Sequence, residues 1–109
     1  MQDLTNELNK LRQDLNNAIK EIRVRGQAKS IAERDYRVAL ATNILILRDN
    51  KIPVTIINDL SRGNEKIADL KLARDIAESL YDSNVQYIYA VKLNIDIVLK
   101  QMDSIRKGV

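Results

Sequence analysis

Residues 64–107 read NEKIADLKLARDIAESLYDSNVQYIYAVKLNIDIVLKQMDSIRK, a stretch with neither proline nor glycine. Within it, Ile67, Leu70, Arg74, Ala77, Tyr81, Asn84, Ile88, Val91, Ile95, Val98, Met102 and Ile105 follow one another at steps of three and four. Ten of those twelve positions are apolar. Steps of three and four sustained over six heptads define a helix with one continuous apolar seam. Asn64 can cap this helix, and Glu65 and Asp69 stand near its positive end.

Upstream, Leu4, Leu8, Leu11, Leu15, Ala18 and Ile22 set the same rhythm. The strict pattern lapses near Arg25 and Gly26, and a period of about 3.6 resumes through Ala32, Tyr36, Leu40, Ile44 and Leu47. Ser30-Ile31-Ala32-Glu33 is a capping box that would let Gly26 end one helix and Ser30 begin another. One glycine inside a helix costs only about 1 kcal/mol, and continuity preserves the seam. A helix over about 3–49, continuous or kinked at Gly26, is therefore expected.

Between the two long segments, Asn50 followed by Pro53, the one proline, is a stop signal. Thr55 is placed to cap a short corner helix over about 55–61, with Gly63 as its left-handed terminator. The third helix then runs over about 64–106. The expected fold is all-α: one domain, a long antiparallel helical hairpin of coiled-coil type with a short corner helix, dimerising into a four-helix bundle.

Composition agrees with this reading. The 109 residues lack Phe, Trp, Cys and His, so the apolar bulk is Ile, Leu, Val and Ala with four tyrosines. Aliphatic side chains of this kind interlock in helix seams. Without Cys or His, disulfides, zinc or iron sites of those ligands and His-based nucleophilic triads are impossible. No glycine-rich phosphate loop occurs. Asp75, Glu78 and Asp82 share a helix face and read as a solvated or salt-bridged surface. The chain is expected to be no enzyme and to need no cofactor or metal.

No apolar run approaches a membrane span; the longest, 87–99, is broken by Lys92, Asn94 and Asp96. Met1-Gln2-Asp3-Leu4 shows no signal pattern, and a cytoplasmic location is expected. The net charge is +3, from 18 basic and 15 acidic residues. Residues 20–37 hold six basic and three acidic groups, whereas Asp75, Glu78 and Asp82 lie in a stretch without bases. A hairpin would bring Arg34 and Arg37 near Glu78 and Asp75, matching the basic stretch internally. A nucleic-acid interface, the alternative, would use Arg23, Arg25, Lys29 and Arg34. Residues 55–72 mimic a helix-turn-helix, but Asn58, Asp59 and Asp69 occupy positions that motif keeps apolar or small.

The chain is richer in apolar groups than one antiparallel partner helix can cover. Beside the seam of the third helix stand Ala73, Ile76, Leu80, Tyr87, Ala90 and Ile97, the expected homodimer interface. Tyr87 and Tyr89 flank that seam on opposite sides and cannot both be buried by a single helix. Arg74 and Asn84, the two polar seam positions, either fix register and oligomer state or lie at a gap. At the corner, Ile52, Val54, Ile56 and Ile57 either plug the end of the hairpin or offer a partner site.

Ala32-Glu33-Arg34-Asp35-Tyr36-Arg37-Val38-Ala39-Leu40-Ala41, Leu47-Arg48-Asp49, Pro53-Val54-Thr55, Asp59-Leu60-Ser61-Arg62-Gly63 and Arg74-Asp75-Ile76-Ala77-Glu78-Ser79-Leu80-Tyr81 together resemble small early-region prophage proteins of Gram-positive bacteria. The resemblance spans about residues 20–100. It implies a phage or prophage origin and action in the bacterial cytoplasm; the expected role is that of an interaction protein that docks on a host or phage protein. It transfers no functional site.

Overall fold

The computed structural model describes residues 1–108, and among them it holds three helices and no strand. Helix α1 spans Gln2–Asp49, α2 spans Val54–Arg62 and α3 spans Glu65–Arg106. Helical structure continues through Gly26, so the capping box at Ser30 does not open a new helix.

The end of α1 is a Schellman motif. The Ile52 N–H donates to the Leu47 carbonyl and the Lys51 N–H to the Arg48 carbonyl, each at 3.0 Å. Lys51 supplies the left-handed residue, at φ 60°, and Pro53 follows where the chain can no longer continue the helix.

The corner departs from expectation at both ends of α2. Pro53, not Thr55, stands at the N-cap, and no side chain caps the helix. The proline ring fixes φ near the helical value, and the Pro53 carbonyl already accepts the Ile56 N–H at 3.1 Å, so Thr55 falls inside the first turn. Gly63 ends α2 in right-handed geometry, at φ −81° and ψ −7°, so it is not a left-handed terminator. A Cβ there would stand 3.3 Å from the Asp59 carbonyl oxygen, a tight approach. Asn64 caps α3 as expected, its Oδ1 accepting the Ile67 N–H at 3.2 Å.

Two compact units form. The turn unit is Gly26–Leu80: the later part of α1, all of α2 and the start of α3. Its buried side chains are Ile57, Ser61 and Ile67, ringed by half-buried Ala32, Tyr36, Leu40, Ile44, Leu47, Leu70 and Ala77. The terminal unit is Met1–Arg25 with residues 81–108. Its buried apolar residues are Ala18, Val91 and Val98, with half-buried Leu4, Leu8, Leu11, Leu15, Ile22, Ile88, Ile95 and Met102 around them. Every seam position of α3 is at least half-buried except Ile105, which is 50% exposed at the helix end.

Candidate interaction surfaces

Each unit contains one polar seam residue, and each of these reaches across to α1. In the terminal unit, the Asn84 Nδ2 donates to the Ala18 carbonyl oxygen at 3.0 Å. A helical carbonyl has a second lone pair to spare, and the alanine side chain leaves room for the approach. In the turn unit, Arg74 lies with its guanidinium carbon 4.6 Å from the Tyr36 ring centroid and its Nε 3.5 Å from Glu33 Oε2. The other oxygen of Glu33 accepts from Arg37 Nε at 2.6 Å, so one carboxylate ties Arg37 of α1 to Arg74 of α3. Arg74 also donates twice to Asp75 Oδ1, at 3.1 and 3.0 Å. That hydrogen bond raises the Arg74 pKa above the ordinary arginine value against partial desolvation, with Asp75, Glu33 and Tyr36 adding to it electrostatically.

The direction of this ion pair reverses the expected one. Arg34 pairs with its neighbour Asp35 at 3.0 Å, and Arg37 with Glu33 on its own helix, rather than with Glu78 and Asp75. Contacts four residues apart along a helix need no second element, Asp35 is reached directly by the long side chain of its neighbour Arg34, and α1 so supplies both acids locally. The base that crosses is the seam arginine of α3.

The turn unit has two unlike faces. Residues one place before a seam position lie on one face, and residues one place after it lie on the other. Because the two helices run antiparallel, the preceding residues of both share a face. A recess there is lined by Val38, Thr42 and Ile46 of α1 and by Lys66, Ile67 and Leu70 of α3. On the opposite face a second recess is lined by Lys29, Ser30, Glu33, Arg74 and Glu78. Arg34 and Asp35 also line the first recess, and near it Ile31 and Val38 of α1 are 42% and 60% exposed, while Ile76 and Leu80 of α3 remain exposed beside Ala73. The sequence reading singled out the α3 residues and missed those of α1. Their signal is the spacing of seven from Val24 to Ile31, Val38 and Leu45.

In the terminal unit the exposed apolar groups belong mostly to α3. Tyr87, Tyr89, Leu93, Ile97 and Leu99 are exposed, as is Ala90, while Val85 is half-buried. Along α1 the outer positions here are largely Asn, Gln, Glu, Lys and Arg. At the open end Leu4 and Ile97 line one recess with Met1 and Ile105.

The corner residues separate. Ile57 turns inward and is 3% exposed, so it plugs the turn and is removed from any partner surface. It lies four residues from Ser61, which is also buried, and this i, i+4 pair fixes the inner side of α2. Ile52 is half-buried, while Val54, Ile56 and Leu60 are exposed. The hydroxyl of Ser61 and the Oδ1 of Asn43 are buried without a hydrogen-bond partner.

The four basic residues of the nucleic-acid alternative are not assembled as one patch within either unit. Arg23 and Arg25 belong to the terminal unit, and Arg25 pairs with Glu21 at 2.9 Å. Lys29 and Arg34 belong to the turn unit, where Lys29 is half-buried and Arg34 bonds Asp35. No helix among the described residues is long and apolar enough to cross a membrane. No group of three or more acidic residues among them is placed to hold a metal ion. Comparison with family models, curated proteins and solved structures finds no match.

Proposed function

We propose that this chain is a phage-derived, non-catalytic protein–protein interaction module that self-associates and covers a surface of a host or phage protein in the bacterial cytoplasm, inhibiting it by steric occlusion. The supporting observation is the row of exposed apolar side chains on α3, with Ile76 and Leu80 in one unit and Tyr87 and Ile97 in the other. Large apolar groups left on a surface in rows, rather than singly, mark interaction sites. The phage origin rests on the resemblance of residues 32–41 and 74–81. A role as an accessory nucleic-acid-binding protein of a recombination or replication module is the alternative. The existing pairs Arg25–Glu21 and Arg34–Asp35 weigh against it.

Sedimentation at tens of micromolar is the direct test. The wild type is expected to run as a dimer, and Tyr87→Asp or Ile97→Asp to shift it towards monomer. A monomeric wild type would remove the self-association. Tight DNA binding that weakens steeply with salt would instead favour the alternative, since released counterions give that dependence.

A further inference from the structure

We propose that the turn unit holds a binding site for a small organic phosphomonoester, in a recess that neither the apolar rows nor the four basic residues of the nucleic-acid alternative occupy. The recess has a volume of about 480 Å³ and is lined by Tyr36 of α1, Arg62 at the end of α2, and Ile67, Ala68 and Lys71 of α3. All five belong to Gly26–Leu80. The volume lies in the range of small-molecule sites. The proposal is independent of the oligomeric state.

Charge sets this recess apart. The recess of Lys66 also holds Arg34 and Asp35, that of Lys29 and Arg74 also holds Glu33 and Glu78, and at the open end Asp3 accompanies Lys100. Here two cations stand with no carboxylate in the lining. Neither Arg62 nor Lys71 forms an ion pair among the described residues. Helical spacing offers them Asp59, three residues before Arg62, and Asp75, four after Lys71. Asp59 pairs with nothing, and Asp75 is taken by Arg74 at 3.0 Å. Glu65 and Asp69 share α3 with Lys71 but do not line the recess, and Arg37, next to Tyr36 in sequence, is held by Glu33.

The walls are also fixed in advance. Ile67 is 4% exposed. The Tyr36 ring lies 4.6 Å from the Arg74 guanidinium carbon, and Arg74 is itself tied to Glu33 and Asp75. Arginine brings a planar fork of donors, lysine a point charge and tyrosine a hydroxyl. A phosphomonoester carries about −1.5 to −2 charges at neutral pH, so it matches the two cations better than a single carboxylate does. Ile67, Ala68 and the tyrosine ring offer apolar surface to the organic group.

The test titrates the full chain with phenyl phosphate, inorganic phosphate and benzoate at low salt, read by calorimetry and by amide shifts in nuclear magnetic resonance. Phenyl phosphate is expected to bind most tightly, at least fivefold over benzoate, with the largest shifts at Arg62, Ala68 and Lys71. Arg62→Gln and Lys71→Gln should each weaken it at least fivefold, and Tyr36→Phe, which keeps the ring beside Arg74, to a lesser degree. Lys66→Gln removes the same charge from the same helix beside a different recess, and should leave the affinity unchanged. Arg62, Lys66 and Lys71 are all exposed, so these variants keep the fold, which circular dichroism checks. Equal losses from Lys66→Gln and Lys71→Gln would reveal diffuse attraction and overturn the site. So would the absence of binding at millimolar phenyl phosphate. Equal affinity for benzoate overturns the phosphate, and equal affinity for inorganic phosphate overturns the organic ester.

Discussion

The two units are built from the same two helices and the same seam rhythm, yet they solve the polar seam position differently. The terminal unit uses a neutral amide on a backbone carbonyl, Asn84 on Ala18. The turn unit uses a cation held by an aromatic face and two carboxylates, Arg74 among Tyr36, Glu33 and Asp75. A single directional bond to a carbonyl is satisfied at one register only, and it needs a small residue beneath it. The arginine cluster tolerates adjustment, since a long side chain offers several donors and its partners are themselves half exposed. The terminal unit should therefore be sensitive to small changes at its pin, and the turn unit should yield gradually.

The sharpest way to break that contrast is Ala18→Leu. Ala18 is 5% exposed, so the larger side chain has no free volume to enter and also displaces Asn84 from the carbonyl. Overpacking and the lost bond together are expected to destabilise by about 3 kcal/mol, read as a lower urea midpoint. A loss under about 1 kcal/mol would mean the helices separate easily at this level and that the pin does not set register.

Next in size is the comparison of the pins themselves. Asn84→Ala should cost about 1–2 kcal/mol, from the lost bond and the gap it leaves. Arg74→Met keeps the aliphatic stem and removes only the charged head, and its expected effect on the melting temperature is smaller than that of Asn84→Ala. The carboxylates left behind, Glu33 and Asp75, are 35% and 51% exposed, so water takes the place of the guanidinium, and ion pairs this open contribute little. If Arg74→Met proves the more damaging, the cluster around Glu33 is the main register device and the contrast inverts.

The contrast also shows which features a sequence can reveal. Seam positions and the ends of the two long helices were legible because steps of three and four, the stop at Asn50–Pro53 and the Asn64 cap depend on short-range rules. The polarity of the cross-helix ion pair was not, because Arg34 and Arg37 had acidic neighbours on their own helix that competed with Asp75 and Glu78 for them. The aliphatic row Ile31, Val38, Leu45 was hidden by Arg34, Asp35 and Arg37 between its members, although its spacing of seven was present. At the corner, a threonine beside a proline looked like a cap, but the fixed φ of Pro53 started the helix earlier. The glycine after α2 looked like a left-handed terminator, whereas that conformation was adopted by Lys51 at the end of α1.

Lys51 gives the smallest effect and sharpens the picture of the turn unit. Its φ of 60° is one that a residue with a Cβ adopts at a cost of roughly 1–2 kcal/mol, and glycine adopts freely. The Schellman bonds from Lys51 and Ile52 to α1 hold it there. Lys51→Gly relieves the strain but also loosens the unfolded chain, which offsets part of the gain. It also removes a base from the end of α1, where a positive charge is favourable. The balance is a stabilisation of about 0.5 kcal/mol, measurable as a rise of a few degrees in melting temperature. Lys51→Ala separates the contributions. It loses the charge and keeps the strain, so it should be neutral to slightly destabilising. If Lys51→Gly stabilises no more than Lys51→Ala, the left-handed residue lies elsewhere and α1 does not end in this motif.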